Sequence, residues 1–127
     1  TRMYSLLFVM VGGAIGSGAR FLTGQATLAA FGPGWPSGTL TVNLLGSLLM
    51  GVLAGVLARF GGDGVTWRLL LGTGMLGGFT TFSAFALDTL NLVERGTSGT
   101  ALAYVLISVG GGFIALFAGL SLVRVLT

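Results

Sequence analysis

Long stretches without a charged residue constrain this 127-residue chain more than any other feature of its sequence. About 20 mostly apolar residues are enough for a helix to cross a lipid bilayer. The uncharged stretches cover residues 3–19, 21–58, 69–87 and 96–123. The second is long enough for two helices, and its Gly-Pro-Gly-Trp-Pro segment at 32–36 divides it, because proline and glycine end helices. The sequence therefore predicts one all-α transmembrane domain over residues 1–127, with spans at about 4–31, 38–59, 67–93 and 99–124.

Composition excludes several classes of function. Only 7% of the residues are charged, whereas a soluble domain has about 25%. The absence of Cys and His excludes disulfides, the usual zinc and iron sites and histidine acid–base chemistry. The net charge of +3 comes without a lysine or a basic cluster, which excludes nucleic-acid binding as a main role. Three carboxylates leave few candidates for a general base, so we do not expect an enzyme.

The arginines give a weak signal for orientation. The first stretch has a signal-peptide-like start, but its apolar run resumes after Arg20, so we expect a retained helix. Four spans put both chain ends on one side of the membrane. Arg95 lies on the opposite side. The side of the chain ends has four arginines, which are Arg2, Arg59, Arg68 and Arg124. This bias favours cytoplasmic termini.

Glycine is unusually frequent, at 24 of 127 residues, although each costs a helix about 1 kcal/mol relative to alanine. Three pairs are spaced four apart within predicted spans: Gly12 and Gly16, Gly51 and Gly55, and Gly74 and Gly78. Such pairs form smooth helix faces on which another backbone can approach closely, within the chain or between chains. The sequence has no internal repeat, so any twofold symmetry must come from a second chain.

One glycine-rich segment, residues 72–77, matches the dinucleotide-binding fingerprint literally. That motif works only between a strand and a helix, and here it lies inside an apolar span. We therefore do not expect nucleotide binding.

The segment Gly-Gly-Phe-Thr-Thr-Phe-Ser-Ala-Phe, residues 77–85, is the most informative in the chain. Two glycines followed by two β-branched threonines favour a break near the middle of the third span. Backbone groups freed by a break in a membrane must be buried in protein or face an ion or water. The alternative is an unbroken, tightly packed helix whose hydroxyls bond to the preceding turn.

Aromatic and polar side chains share helix faces near this segment. Phe82 and Phe85 are three residues apart, and the positive edges of their rings could face an anion, with Thr81 and Ser83 as nearby donors. The second span carries a polar stripe formed by Thr39, Asn43 and Ser47. The fourth span carries another, formed by Tyr104 and Ser108 and continued by Gly112. Packing of the rings and hydrogen bonding between helices are the structural alternatives. Together these donors suit a small dehydrated anion.

Two ionisable residues have open roles. Arg20 lies well inside a predicted span, where a charge is a functional candidate unless its side chain reaches the interface. Asp88 could bind a coupling cation or a proton, or face water near the end of its helix.

These motifs resemble the Fluc or CrcB family of fluoride channels. The resemblance covers the whole chain and is carried by residues 13–16 leading to Arg20, residues 38–46 and residues 77–85. It implies a multi-pass bacterial inner-membrane protein that assembles as an antiparallel, dual-topology homodimer, with two pores through which fluoride leaves the cell. The charge bias departs from this, because dual insertion predicts almost none.

The resemblance also implies roles for individual residues. Phe82 and Phe85 would line the ion path with their ring edges, Asn43 would be a polar neighbour, and Arg20 would lie near a vestibule. Tyr104 and Ser108 would form a polar track, which Gly110 and Gly112 leave without a further hydroxyl. The candidate ion path comprises Phe82, Phe85, Asn43, Tyr104, Ser108, Thr39, Thr81, Ser83 and Arg20.

A structural sodium ion is also implied, bound on the twofold axis by the backbone carbonyls of Gly77 and Thr80. A helix break would leave such carbonyls without amide partners, and two chains would offer four oxygens. No carboxylate lies near them in the sequence, which argues against calcium and magnesium.

The leading hypothesis is therefore a passive, selective fluoride channel. A small dual-topology, proton-coupled exporter of cations or drugs is the main rival, but it would need an acid in the first span, which has none. A purely structural subunit would explain the glycines but not residues 77–85. We expect an antiparallel dimer, because the glycine faces and the helix break ask for a symmetric partner.

Overall fold

The computed structural model describes residues 2–61 and 64–127, and four helical spans long and apolar enough to cross a membrane lie within them. The first, second and fourth are α1 (Arg2–Phe31), α2 (Ser37–Phe60) and α6 (Ser98–Leu126). The third runs over Gly64–Glu94 in several pieces. The four predicted spans are confirmed, with every end within three residues of its predicted place.

The third span is interrupted near its middle. It begins with α3 (Gly64–Trp67), continues as a π-helical segment (Arg68–Leu76) and ends its first half with α4 (Gly77–Phe79). α5 (Phe82–Glu94) forms the second half. The predicted break is confirmed, and the π-helical segment is a feature that the sequence did not indicate.

Thr80 and Thr81 form the break itself. Their φ and ψ angles, −86° and 162° for Thr80 and −153° and 124° for Thr81, are extended. β-Branched residues tolerate this backbone well. Gly77 remains helical, with φ −62° and ψ −37°, so of the two residues expected to leave the helix only Thr80 does so.

Glycines allow the helices to pack closely on one another. α1 packs on the first half of the third span, and α2 packs on α6. A methyl group at Gly16 would overlap the Met75 carbonyl oxygen, and one at Gly51 would overlap the Leu116 carbonyl oxygen. The predicted close packing is confirmed, since Gly12, Gly16, Gly51, Gly55, Gly74 and Gly78 all face neighbouring helices of the same chain. Because these faces are filled internally, they do not call for a partner chain, and that reason for expecting a dimer is wrong.

A small core lies beside the break. Phe85, Leu92, Ala101 and Tyr104 are buried together, joining α5 to α6. The turn after α1 begins at Gly32, whose φ of 76° is left-handed, and it brings Trp35 onto this core. Many large apolar side chains point outward, as expected of helices that face lipid.

Candidate functional site at the helix break

The side chain of Asn43, on α2, forms hydrogen bonds with the backbone of the break. Its Nδ2 donates to the Thr81 carbonyl oxygen at 3.0 Å, and its Oδ1 accepts from the Thr81 amide at 2.8 Å. Both polar atoms of the Asn43 amide group thus replace the hydrogen bonds that an unbroken helix would give Thr81. Gly46, one turn further along α2, leaves room for the Thr80 methyl group against the helix.

The break redirects two amides. In a continuous helix the amides of Thr81 and Ala84 would bond the carbonyls of Gly77 and Thr80. Here the Thr81 amide bonds Asn43, and the Ala84 amide bonds the Thr81 hydroxyl at 3.2 Å. The carbonyls of Gly77 and Thr80 are therefore left without their helical donors.

Two further side chains stabilise the first half of the third span at its end. Arg20 of α1 donates from Nε to the Gly78 carbonyl at 3.1 Å. The Thr80 hydroxyl donates to the Leu76 carbonyl at 3.0 Å. A threonine hydroxyl bonded to the preceding turn was the contact expected of an unbroken helix. Here Thr80 makes that contact next to the break. Arg20 is half-buried and caps the carbonyl end of the interrupted helix.

A polar vestibule of about 360 Å³ opens on one side of the break. Its wall includes Arg20, Thr39, Thr81 and Asp88, together with the turn between α1 and α2. The guanidinium group and the carboxylate give this space one charge of each sign. Arg20 and Asp88 therefore line one space, and the roles expected of them stay predictions.

A groove of about 420 Å³ opens on the other side of Thr81. It lies between α2, α6 and the break, and its polar lining includes Asn43, Ser47, Thr80 and Thr81. Thr81 lines both spaces, with Asn43 bonded to its backbone. Thr81 therefore lies between the vestibule and the groove.

Three aromatic rings contact one another in sequence beside the Asn43–Thr81 pair. The ring centroids of Phe82 and Phe85 are 5.7 Å apart, and those of Phe85 and Tyr104 are 5.2 Å apart. Phe82 lines the groove and is 78% exposed, whereas Phe85 is 9% exposed. The two rings share a face as predicted, but only Phe82 has a free surface in the single chain.

The hydroxyls of the predicted track have different surroundings. The Tyr104 hydroxyl donates to Asp88 Oδ2 at 3.2 Å. Ser108 Oγ is buried, and no hydrogen-bond partner reaches it. Ser83 is exposed, and its Oγ lies 3.4 Å from the Thr81 hydroxyl.

The structure brings most of the candidate residues together and adds contacts that the sequence did not indicate. Asn43, Thr81, Phe82 and Phe85 meet at the break. Thr39 lines the vestibule, and Tyr104 bonds Asp88 in its wall. Ser108 lines neither space. Three pairings were missed, Arg20 with Gly78, Asn43 with the Thr81 backbone and Asp88 with Tyr104. Their polarity within predicted spans indicated that these side chains need partners. No feature of the sequence indicated which partners they have.

Comparison with known proteins gives one family. The model of the CrcB-like protein family, described also as Camphor Resistance (CrcB), matches residues 7–120. A protein of Sphingopyxis alaskensis named fluoride-specific ion channel FluC is 58% identical over 122 residues, which is 96% of this chain and 97% of that protein. Proteins with the same name from Phenylobacterium zucineum and Caulobacter vibrioides are 56% and 50% identical over 123 residues, again 96% of this chain and 97% of each relative.

Proposed function

The chain belongs to the CrcB-like family, and we propose that it is a passive, selective fluoride channel that lets fluoride leave the cytoplasm. Four apolar helices and the family place it in the bacterial inner membrane as a multi-pass protein. The observation that carries the proposal is the Asn43–Thr81 pair, which lies at the break in the third span between the vestibule and the groove. We infer that the ion route passes this pair.

The donors along this route suit fluoride. Hydrogen bonds to an ionised acceptor are shorter and stronger than neutral ones, and a compact anion gains more from them than a larger anion does. The route offers an amide, hydroxyls and the edges of aromatic rings instead of a ring of cations. Apart from Arg20 in the vestibule, none of the described residues lining the two spaces is basic.

The rival function, a proton-coupled exporter of cations or drugs, has no support from the relatives, which are named as ion channels. α1 contains no acid for proton exchange, and Asp88 is bonded to Tyr104. A passive channel also needs no reaction, so we propose no enzymatic activity.

An antiparallel homodimer with two pores is part of the proposal. The groove is open on one side, and the ring of Phe82 at its edge is 78% exposed, so a second chain would complete its wall. A single cysteine at the exposed, uncrowded Gly99 position tests the arrangement, since the chain has no other. With Gly99→Cys, an impermeant thiol reagent should label one population of chains in intact cells and leave another protected. Labelling of every chain from one side would contradict dual topology.

A structural sodium ion at the twofold axis completes the proposal. The carbonyls of Gly77 and Thr80 fit such an ion because their helical donors are bonded elsewhere. In a dimer, two carbonyls from each chain would give four oxygens, and among the described residues no group of three or more carboxylates, histidines or cysteines offers a competing site. A bound cation would supply a fixed positive charge between the two anion paths.

Sodium binding has a readout of its own. A crystal structure in sodium should show density between four carbonyls on the axis, and replacement of sodium by a large organic cation should lower the thermal stability of the dimer. Absent density together with unchanged stability would reject the ion and leave the channel function standing.

Ion efflux from liposomes tests the function itself. Purified protein in liposomes with a potassium gradient and valinomycin should release fluoride, measured with a fluoride electrode, and retain chloride. Chloride release as fast as fluoride release would reject selectivity. Proton-coupled cation uptake without fluoride efflux would favour the exporter.

A further inference from the structure

Ser47 occupies a special place in the groove. It follows Asn43 by one helical turn on α2 and lines the same space. In residues 2–61 and 64–127 its hydroxyl takes part in no hydrogen bond, whereas several threonine hydroxyls in the spans bond to the carbonyl one turn earlier. Ser47 thus presents a free donor to the groove.

Gly112 lies across the groove from Ser47. A methyl group built at Gly112 would be 3.6 Å from Ser47 Oγ, which is ordinary van der Waals contact. On α6 this glycine follows Ser108 by one turn. The polar face of α6 therefore has no side-chain donor at the point where it lines the groove. The lining beyond this point is apolar and includes Met50, Phe113 and Leu116.

We propose that Ser47 supplies from α2 the hydrogen-bond donor that α6 lacks at Gly112, and that fluoride passes from Asn43 to the Ser47 hydroxyl. This inference rests on the proposed fluoride channel and names a residue for its path. A partly dehydrated anion needs a donor at each step, since an unpaired charge in an apolar passage is costly. Asn43 and Ser47, four residues apart on one helix face, form two successive steps.

The arrangement also explains why a glycine is compatible with conduction at residue 112. Its missing side chain leaves space beside the Ser47 hydroxyl, and a hydroxyl on either helix would face the same part of the groove. We therefore expect a serine at residue 112 to replace the donor of Ser47, which a structural role for Ser47 would not predict.

A swap of the donor tests this directly in the liposome assay. Ser47→Ala should slow fluoride efflux about tenfold or more, because one hydrogen bond to a charged group is lost. Adding Gly112→Ser in the same chain should restore most of the rate. Gly112→Ala, which adds volume without a hydroxyl, should not restore it, and neither should Gly110→Ser, whose added carbon meets nothing within 4 Å.

Each outcome decides something. A wild-type rate for a folded Ser47→Ala protein would overturn the inference, as would equal rescue by Gly112→Ala and Gly112→Ser. If Ser47→Ala fails to fold, as judged by gel filtration, then Ser47→Cys and Ser47→Thr replace it, and a rate for the thiol as fast as for the hydroxyl would overturn the inference. Absence of fluoride efflux from the wild-type protein would instead reject the proposed function.

Discussion

The glycine contacts between helices and the break at Thr80–Thr81 stabilise the same chain in opposite ways. At Gly16 and Gly51 two backbones meet directly, and a single added carbon would overlap a carbonyl oxygen of the neighbouring helix. At the break the backbone leaves its regular partners, and side chains of Asn43 and Arg20 from two other helices take their place. The glycine contacts depend on the absence of a side chain, whereas the break depends on hydrogen-bond donors and acceptors from other helices.

This difference separates folding from conduction. At the glycine contacts backbone packs on backbone within the chain, so no space is left there for an ion. The break keeps polar groups between two open spaces, at the cost of a regular helix. Substitutions at the glycine contacts should therefore act on folding, and substitutions at the break should act on flux.

The largest effect is expected at a glycine contact. Gly16→Ala places a carbon against the Met75 carbonyl oxygen and 2.9 Å from the Phe79 amide nitrogen, and neither backbone group can rotate away. We expect little folded protein and a much lower thermal stability by gel filtration and melting in detergent. Gly18→Ala, on the same helix with nothing within 4 Å, is the matched control and should behave as wild type. Equal stability of the two variants would contradict the account of the glycine contacts.

The aromatic rings should show a smaller effect, on flux. Phe82→Ile and Phe85→Ile keep apolar volume but remove the ring quadrupole, so each should slow fluoride efflux about tenfold. Phe85→Ile should also lower stability because its ring is packed against Tyr104, while Phe82 is largely exposed in the single chain. Phe117→Ile, on an exposed face of α6 outside the vestibule and the groove, controls for loss of a ring. Wild-type efflux in both test variants would place the ion path elsewhere.

The smallest effect is expected in the vestibule. Arg20→Gln removes the positive charge that faces entering anions, and the acid Asp88 in the same wall remains. Fluoride efflux should fall a few-fold at low ionic strength and less at high ionic strength, because salt screens attraction at the mouth. Arg95→Gln, at the exposed end of α5, should change neither rate. A reduction that is independent of salt would mean that Arg20 acts only by capping Gly78.

The spans and the position of the break could be predicted because each depends on local sequence. Apolar length fixes the spans, and two glycines before Thr80 and Thr81 mark the weak point of the third helix. Close packing at spaced glycines is equally local in its signal. The π-helical segment, which packs on α1, had no such signal in the sequence.

The pairings at the site could not be predicted in the same way. Asn43 and Thr81 are 38 residues apart, and Arg20 and Gly78 are 58 apart, so the packing of the helices decides whether they meet. Polarity in a membrane showed only that these side chains need partners. The same limit applies to the glycine faces. Their spacing shows that a backbone packs on them, but it does not show that the partners are helices of the same chain, α1 on the third span and α2 on α6.

Fluoride efflux through Asn43→Asp is the most direct test of the central claim, which is that the ion passes the helix break beside Thr81. The variant keeps an acceptor for the Thr81 amide but loses the donor to the Thr81 carbonyl and adds a negative charge on the path. Asn91→Asp makes the same chemical change at an exposed site on α5. With both proteins folded, we predict that efflux through Asn43→Asp is slower than through either ring variant, because like charges repel, while Asn91→Asp conducts as wild type. Equal efflux from the two variants would contradict the account.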